Sequence, residues 1–282
     1  MYLRPFCLSI GLFLGGAPVM ATSLPPAPQV LSSQLRIDRP DLAVSSEDWH
    51  WLRHKAELKV GVSAAASAPF SINAQDNLYE GISADATALV AQLLGLQVKV
   101  VAFANEQDAH KALQAGSVDV ISVHGSTRPR PNLLLSIPYA EDRLAVFKRS
   151  TEPRHSPVDL AGLRVAITEE HSDELKQRYP QADLRVYAKH DEAIAAAAFG
   201  QADVYLDDLY SAYYRINHSY YGYLRFERFS DLSVGGYGFA LRTDNSRLQR
   251  LINVAIELSV TIRCVTCPSA GSATALFQVK NP

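Results

Sequence analysis

Charged side chains follow two of the strands that the sequence predicts. Arg128 and Arg130 lie in a polar, proline-rich loop after the predicted strand 118–123, and Asp207 and Asp208 directly follow a later apolar strand. Ligands of open α/β sheets gather at the carboxyl ends of strands. A guanidinium group binds a carboxylate through paired hydrogen bonds. The loop that carries Arg128 and Arg130 is therefore the first candidate region for a ligand site.

Both pairs also have a structural interpretation. Arg128 and Arg130 could be solvated surface charges, and Asp207 and Asp208 could cap the helix that follows them. No nucleophile–base arrangement and no G-x-S-x-G motif stands out. We therefore expect no enzyme activity, and the composition gives no reason to expect a cofactor.

The elements that must position these residues alternate along the chain. The first part predicts strands at 57–62, 97–103 and 118–123, which are separated by helices at 83–94 and 105–115. This order is typical of a parallel sheet with right-handed crossovers.

A second part repeats this logic. Its predicted elements are strands at 164–168, 184–188, 202–206 and 224–229 and helices at 172–179, 191–200 (capped by Asp191) and 209–216. A strand at 239–241 and a helix from 246 then return to the first part. Crossings near 139–143 and 234–237 would form a hinge between two separate sheets. The fold class is therefore α/β, with two lobes.

Size and charge limit the function classes. The chain has 282 residues, 48% of them hydrophobic, and a net charge of −2, which gives no electrostatic case for a nucleic-acid partner. Residues 1–21 resemble a signal peptide cleaved after Ala21, because Arg4 is their only charge, residues 6–16 are apolar and small residues precede the cut. A membrane anchor is the weaker interpretation, because this apolar run is short for a membrane span. We expect export to the periplasm and no membrane span in the mature chain.

Only Cys264 and Cys267 would remain after that cleavage. The pair could form a disulfide, a redox pair or half of a metal site, but no second pair or nearby His completes a zinc site. Two incidental cysteines are the preferred interpretation, and we expect no metal.

Ordered sequence motifs resemble a known family. The strand and loop that end at Ser136-Ile137-Pro138-Tyr139 resemble the type 2 periplasmic solute-binding proteins of solute-binding family 3. Further strings narrow the resemblance to the first Venus-flytrap domain of BvgS/EvgS-type hybrid sensor kinases. They are Asp48-Trp49-His50-Trp51-Leu52, Tyr79-Glu80-Gly81-Ile82, Gly200-Gln201-Ala202-Asp203-Val204 and Leu241-Arg242-Thr243-Asp244-Asn245.

The resemblance implies a two-lobed clamp with defined boundaries. They are a signal peptide (1–21), an extended lead-in (22–47), lobe 1 (48–140), lobe 2 (141–236), the return to lobe 1 (237–262) and an atypical tail (263–282). In that family a second flytrap domain, a membrane span and a kinase follow. We find no kinase motif here, and expect a fragment, a truncated product or a free-standing relative.

The resemblance also implies a ligand site. Amino-acid-binding members hold the ligand carboxylate with an Arg and a hydroxyl from the loop after the third strand, and the amino group with an Asp of lobe 2. Here the hydroxyl position falls on Ser126 and the Arg position on Pro129, between Arg128 and Arg130. Asp208, beside Asp207, matches the Asp. The position of the stacking aromatic falls on Ser67, so the amino-acid site is incomplete.

Two functions follow from the resemblance. The first is a periplasmic sensory flytrap domain, whose ligand would be an amino acid, a polyamine or another small solute. Its partner would be a second flytrap domain or a sensor kinase. The alternative is a stand-alone solute-binding protein of an ABC-type amino-acid or polyamine importer.

Overall fold

The computed structural model describes residues 27–33, 42–63, 68–72, 78–123 and 130–266. The strands are β1 (Ala27–Leu31), β2 (Glu57–Ser63), β3 (Leu78–Tyr79), β4 (Gln97–Phe103), β5 (Val120–Val123), β6 (Leu133–Leu135), β7 (Ala140–Arg149), β8 (Arg164–Thr168), β9 (Asp183–Tyr187), β10 (Val204–Asp208) and β11 (Leu224–Arg242). The helices are α1 (Ser46–Lys55), α2 (Ile82–Leu94), α3 (Glu106–Gln114), α4 (Ser172–Arg178), α5 (His190–Ala198), α6 (Leu209–Ser219) and α7 (Ser246–Thr266), with a 3₁₀ turn at Glu169–His171 before α4.

Lobe 1 is built on a sheet with the strand order β3-β1-β4-β2-β5, which the second half of β11 extends. Its centre, β4-β2-β5, is parallel, whereas β1 runs antiparallel to β4 and parallel to β3, and β11 runs antiparallel to β5. Leu89 and Val90 of α2 and Leu251 and Ile252 of α7 are buried in one apolar cluster. The chain therefore returns to lobe 1 after visiting lobe 2, as expected.

Lobe 2 is built on the order β7-β10-β8-β9, with the first half of β11 beside β7. The strands β10, β8 and β9 are parallel, and β7 and β11 are antiparallel. Ala193, Ala196 and Ala197 of α5 are fully buried, and their small side chains let the helix lie close to the sheet. Both lobes are thus α/β, as the sequence predicts.

The prediction of two separate sheets is wrong in one respect. The predicted strands 224–229 and 239–241 are parts of a single strand, β11, which pairs with β7 in lobe 2 and with β5 in lobe 1. Register shifts lie between Phe229 and Ser233 and between Ser233 and Gly235. These irregularities let one strand bend from one lobe into the other.

Local boundaries differ in three places. Part of the expected lead-in forms β1, which pairs with β3 and β4. The N-cap of α5 is Lys189, so the expected cap Asp191 lies in the first turn instead, where its charge still suits the helix dipole. The last helix continues to Thr266, past the expected boundary at 262.

Within the described ranges, no helix combines the length and apolarity that a bilayer crossing requires. The expected signal peptide lies outside those ranges.

Candidate functional site

A cavity of about 640 Å³ lies between the lobes. It opens at the carboxyl ends of β2, β5 and β10, as expected for ligand sites of α/β sheets. Its charged and imidazole-bearing lining comes from both lobes: Glu106, His110 and Arg130 from lobe 1, and Glu170, His171, His190, Asp208 and Arg215 from lobe 2. Tyr237 of β11 lies on the hinge side. Such a mixed lining suits a small polar ligand.

Asp208 is the predicted site residue that the structure places most clearly. It is the last residue of β10, it lines the cavity, and it is only 4% exposed. It occupies the N-cap position of α6, but its side chain makes no capping hydrogen bond. The capping interpretation of Asp208 is therefore wrong, and its carboxylate belongs to the cleft.

Asp207 is buried and satisfied within lobe 2. His190 Nδ1 lies 2.6 Å from its Oδ2, the Tyr205 hydroxyl donates to the same oxygen, and the Asp208 N–H donates to Oδ1 at 3.0 Å. The hydrogen bond with Asp207 raises the pKa of His190. Asp207 is not among the described residues that line the cavity. It therefore holds His190, which does line the cavity.

The predicted loop residues are only partly placed. Arg130 lines the cavity from lobe 1. Ser126, Arg128 and Pro129 lie outside the described residues, as does Ser67. A second guanidinium, that of Arg215, lines the cavity from α6, with its Nη1 3.6 Å from Asp191 Oδ1. Sequence reasoning missed it, although its position one turn after Ser211, on the helix that directly follows Asp208, was a usable signal.

Asp142 was also missed. It lies on β7 at the first crossing between the lobes and is 1% exposed. Its Oδ1 accepts the Arg143 N–H at 2.8 Å. Burial, and then the charge of Asp208, raise the pKa of Asp142 to about 8. The available signal was a charged triplet, Glu141-Asp142-Arg143, at the start of an otherwise apolar strand.

Hydroxyl groups form the lobe 1 floor of the cleft. The Ser83 hydroxyl lies 2.8 Å from the Tyr139 hydroxyl and 3.1 Å from the Ser122 hydroxyl, and Ser122 also bonds Tyr139. Burial raises the pKa of Tyr139 to about 12, so it stays neutral. The network joins α2, β5 and the hinge, and it explains the Tyr that closes the Ser-x-Pro-Tyr string.

Metal binding finds no support in the described part of the chain. No three His, Cys, Asp or Glu side chains there are grouped as metal ligands.

The turn Glu169–His171 presents Glu170 to the cavity. A carboxylate there repels an anion.

Comparison with known proteins places these features in a family. The model of the bacterial extracellular solute-binding proteins, family 3, matches residues 58–259. The virulence sensor protein BvgS of Bordetella parapertussis is 33% identical over 254 residues, which are 89% of this chain and 20% of that protein. BvgS of Bordetella bronchiseptica is 36% identical over 220 residues, or 77% of this chain and 18% of that protein.

A solved structure agrees with these matches. The crystal structure of the periplasmic domain of BvgS from Bordetella pertussis superposes with a TM-score of 0.74 at 33% identity. The match covers 82% of this chain and 45% of that one. The chain thus spans about a fifth of the length of the curated relatives that it matches.

Proposed function

Because the chain belongs to family 3 of the bacterial extracellular solute-binding proteins, we propose that it acts as the solute-responsive clamp of a two-component sensor. The observation that carries this proposal is the cavity of about 640 Å³, to which both lobes contribute charged side chains. A solute bound there contacts both lobes, so it favours the closed state over the open one. A clamp of this kind binds its solute without chemical change.

The proposed location is the periplasm. Residues 1–21 would be removed as a signal peptide, and the matched BvgS structure is that of a periplasmic domain. The proposed boundaries are 48–140 for lobe 1, 141–236 for lobe 2 and 237–262 for the return to lobe 1. The sheet of each lobe and the hinge between them support these boundaries. Closure would be read by a second flytrap domain or a sensor kinase.

The proposed solute carries a cationic nitrogen, as amino acids and polyamines do. Asp208 and Glu170 both face the cavity from lobe 2, and a buried carboxylate gains most from a cationic partner. On lobe 1, Arg130 would bind an anionic group of the solute, with Ser126 and Arg128 beside it. Asp207 would act indirectly by holding His190.

A thermal-shift screen against amino acids, polyamines and small acids tests the proposal. A solute at a hundred times its dissociation constant adds about 2.7 kcal/mol to the unfolding free energy. We expect a shift with at least one cationic solute. Asp208→Asn should weaken its binding at least about tenfold, the order of a lost charge-assisted hydrogen bond.

Asp173→Asn is the matched control, because this lobe 2 carboxylate has a side chain that is 90% exposed. It should leave affinity unchanged. If no solute of any class shifts the unfolding temperature, the solute-responsive function is wrong. If a solute binds but Asp208→Asn binds it equally well, the assignment of Asp208 is wrong.

A further inference from the structure

Phe70 joins three parts of the molecule through its ring. Its centroid lies 3.3 Å from that of Tyr237 on β11, with the planes 15° apart, and 5.5 Å from that of Tyr210 on α6, edge to face. Phe70 is 2% exposed. The three rings therefore connect a lobe 1 loop, the hinge strand and a lobe 2 helix.

Tyr210 is the unusual member. Its helix α6 packs in lobe 2, where Ala212 and Ile216 belong to the alanine-rich cluster. The ring of Tyr210 instead belongs to the apolar cluster of lobe 1, together with Phe70. One lobe 2 side chain thus packs with the core of lobe 1.

Phe70 is held firmly from the lobe 1 side. The carbonyls of Pro69 and Phe70 accept the N–H groups of Ile82 and Ser83, each at 3.1 Å, and so cap α2. Gly81 has φ +110°, and a Cβ there would lie 2.6 Å from each of those carbonyl oxygens. Only glycine fits this turn, and the loop therefore moves as one body with α2.

Tyr237 is held equally firmly by the hinge. Its carbonyl accepts the Tyr139 N–H at 2.8 Å. A Cβ on the preceding Gly236 would lie 2.5 Å from the Ala140 carbonyl oxygen, so β11 and β7 touch closely here. Tyr237 therefore cannot follow Phe70 freely if the lobes rotate apart.

We propose that Phe70, Tyr210 and Tyr237 form an aromatic clasp that holds the lobes together without solute, so that the chain's own side chains set the resting width of the cleft. The consequence for signalling rests on the proposed function, because a solute then shifts an equilibrium that the clasp has already biased. The clasp itself is measured in the absence of any solute. Opening the cleft separates Phe70 from Tyr210.

The distance between the lobes tests the clasp. Spin labels at Lys111→Cys on α3 of lobe 1 and Asp173→Cys on α4 of lobe 2 report the distance between the lobes, in the full chain with Cys7, Cys264 and Cys267 changed to Ser. We expect one narrow distance distribution without solute. Phe70→Leu keeps apolar volume but removes the ring stack. It should shift the open-to-closed ratio by roughly 2- to 12-fold, the range of one aromatic pair.

Phe147→Leu is the matched control. Phe147 is 1% exposed, and its ring neighbours, Tyr205 and Phe226, both lie in lobe 2. It should lower stability without changing the interlobe distance. Tyr210→Leu removes the clasp from the lobe 2 side and replaces Phe70→Leu if that variant does not fold.

An unchanged distance distribution in a folded Phe70→Leu or Tyr210→Leu variant overturns the clasp. An equal shift in Phe147→Leu also overturns it, because the effect would then be general loosening. If no solute changes the distance distribution of the chain or of its Phe70→Leu variant, the proposed function fails while the clasp result stands.

Discussion

The two ends of strand β7 hold buried charged side chains in opposite electrostatic environments. At the far end, Lys148 Nζ lies 2.9 Å from Glu227 Oε1, with the two side chains 3% and 2% exposed. At the hinge end, Asp142 is 1% exposed and faces the like charges of Asp208 and Asp207. One strand therefore carries a satisfied ion pair and a carboxylate repelled by its neighbours.

The pKa values express this contrast. Burial alone would raise the pKa of Glu227, but hydrogen bonds from Ser156 and Lys148 more than offset it and lower the value to about 2. Burial and the charge of Asp208 raise the pKa of Asp142 to about 8. The like-charged carboxylates at the hinge end do not stabilise the fold. Because perturbed pKa values cluster at functional sites, we place the functional site at the hinge end of β7.

The largest effect is expected at the far end. Lys148→Met should cost about 3–5 kcal/mol of unfolding free energy, because it leaves the Glu227 carboxylate buried without its cation. Urea denaturation at neutral pH measures this loss.

Lys111→Met is the control for charge removal. The pair Lys111–Asp108 is exposed, at 66% and 33% of the two side chains, so its loss should cost less than about 1 kcal/mol. A cost for Lys148→Met as small as this would show that the two ends of β7 do not differ as described.

The next effect is a pH dependence at the hinge end. The pKa of Asp142 rises from 3.8 to about 8 on folding, so the native state binds a proton that the unfolded chain has released. Its contribution to stability is fully present below about pH 4 and is lost as the pH rises towards 8. The slope approaches about 1.4 kcal/mol per pH unit within this window.

Asp142→Asn should flatten that slope while keeping the shape of the side chain. The range from pH 5 to 6.5 isolates the effect, because Glu227 and Asp48, with pKa values of about 2, are already ionised there. Unfolding free energies at several pH values give the slope. An equal slope in the variant would mean that Asp142 titrates normally.

Much of the fold follows from local patterns. Predicted strands 97–103 and 164–168 coincide with β4 and β8, since period and β-branched content are properties of short windows. The return of the chain to lobe 1 followed from the glycine-rich crossover at 235–238 and from the resemblance to two-lobed clamps. Asp208 followed from the family resemblance, which places an Asp of lobe 2 at the ligand's amino group.

The features that the sequence did not predict depend on pairs of residues that are far apart in the sequence. Lys148 and Glu227 are 79 positions apart, and their contact depends on the register of β7 against β11, which no local window contains. The elevated pKa of Asp142 depends on its burial and then on the charge of Asp208, which lies on the neighbouring strand β10. The continuity of β11 was missed because its paired glycines suggested a loop, whereas they permit a close crossing.

The smallest effect concerns Asp207 and His190, whose side chains form a hydrogen bond beside the cleft. The Asp207 hydrogen bond raises the pKa of His190, whose side chain is 28% exposed. The stability from this pair is therefore fully present below the unfolded pKa of about 6.5 and is lost as the pH rises through the folded value. An NMR titration of the His190 ring, assigned with His190→Gln, measures the folded pKa. Asp207→Asn should lower it, whereas an unchanged midpoint would leave Asp207 with no electrostatic influence on the cleft.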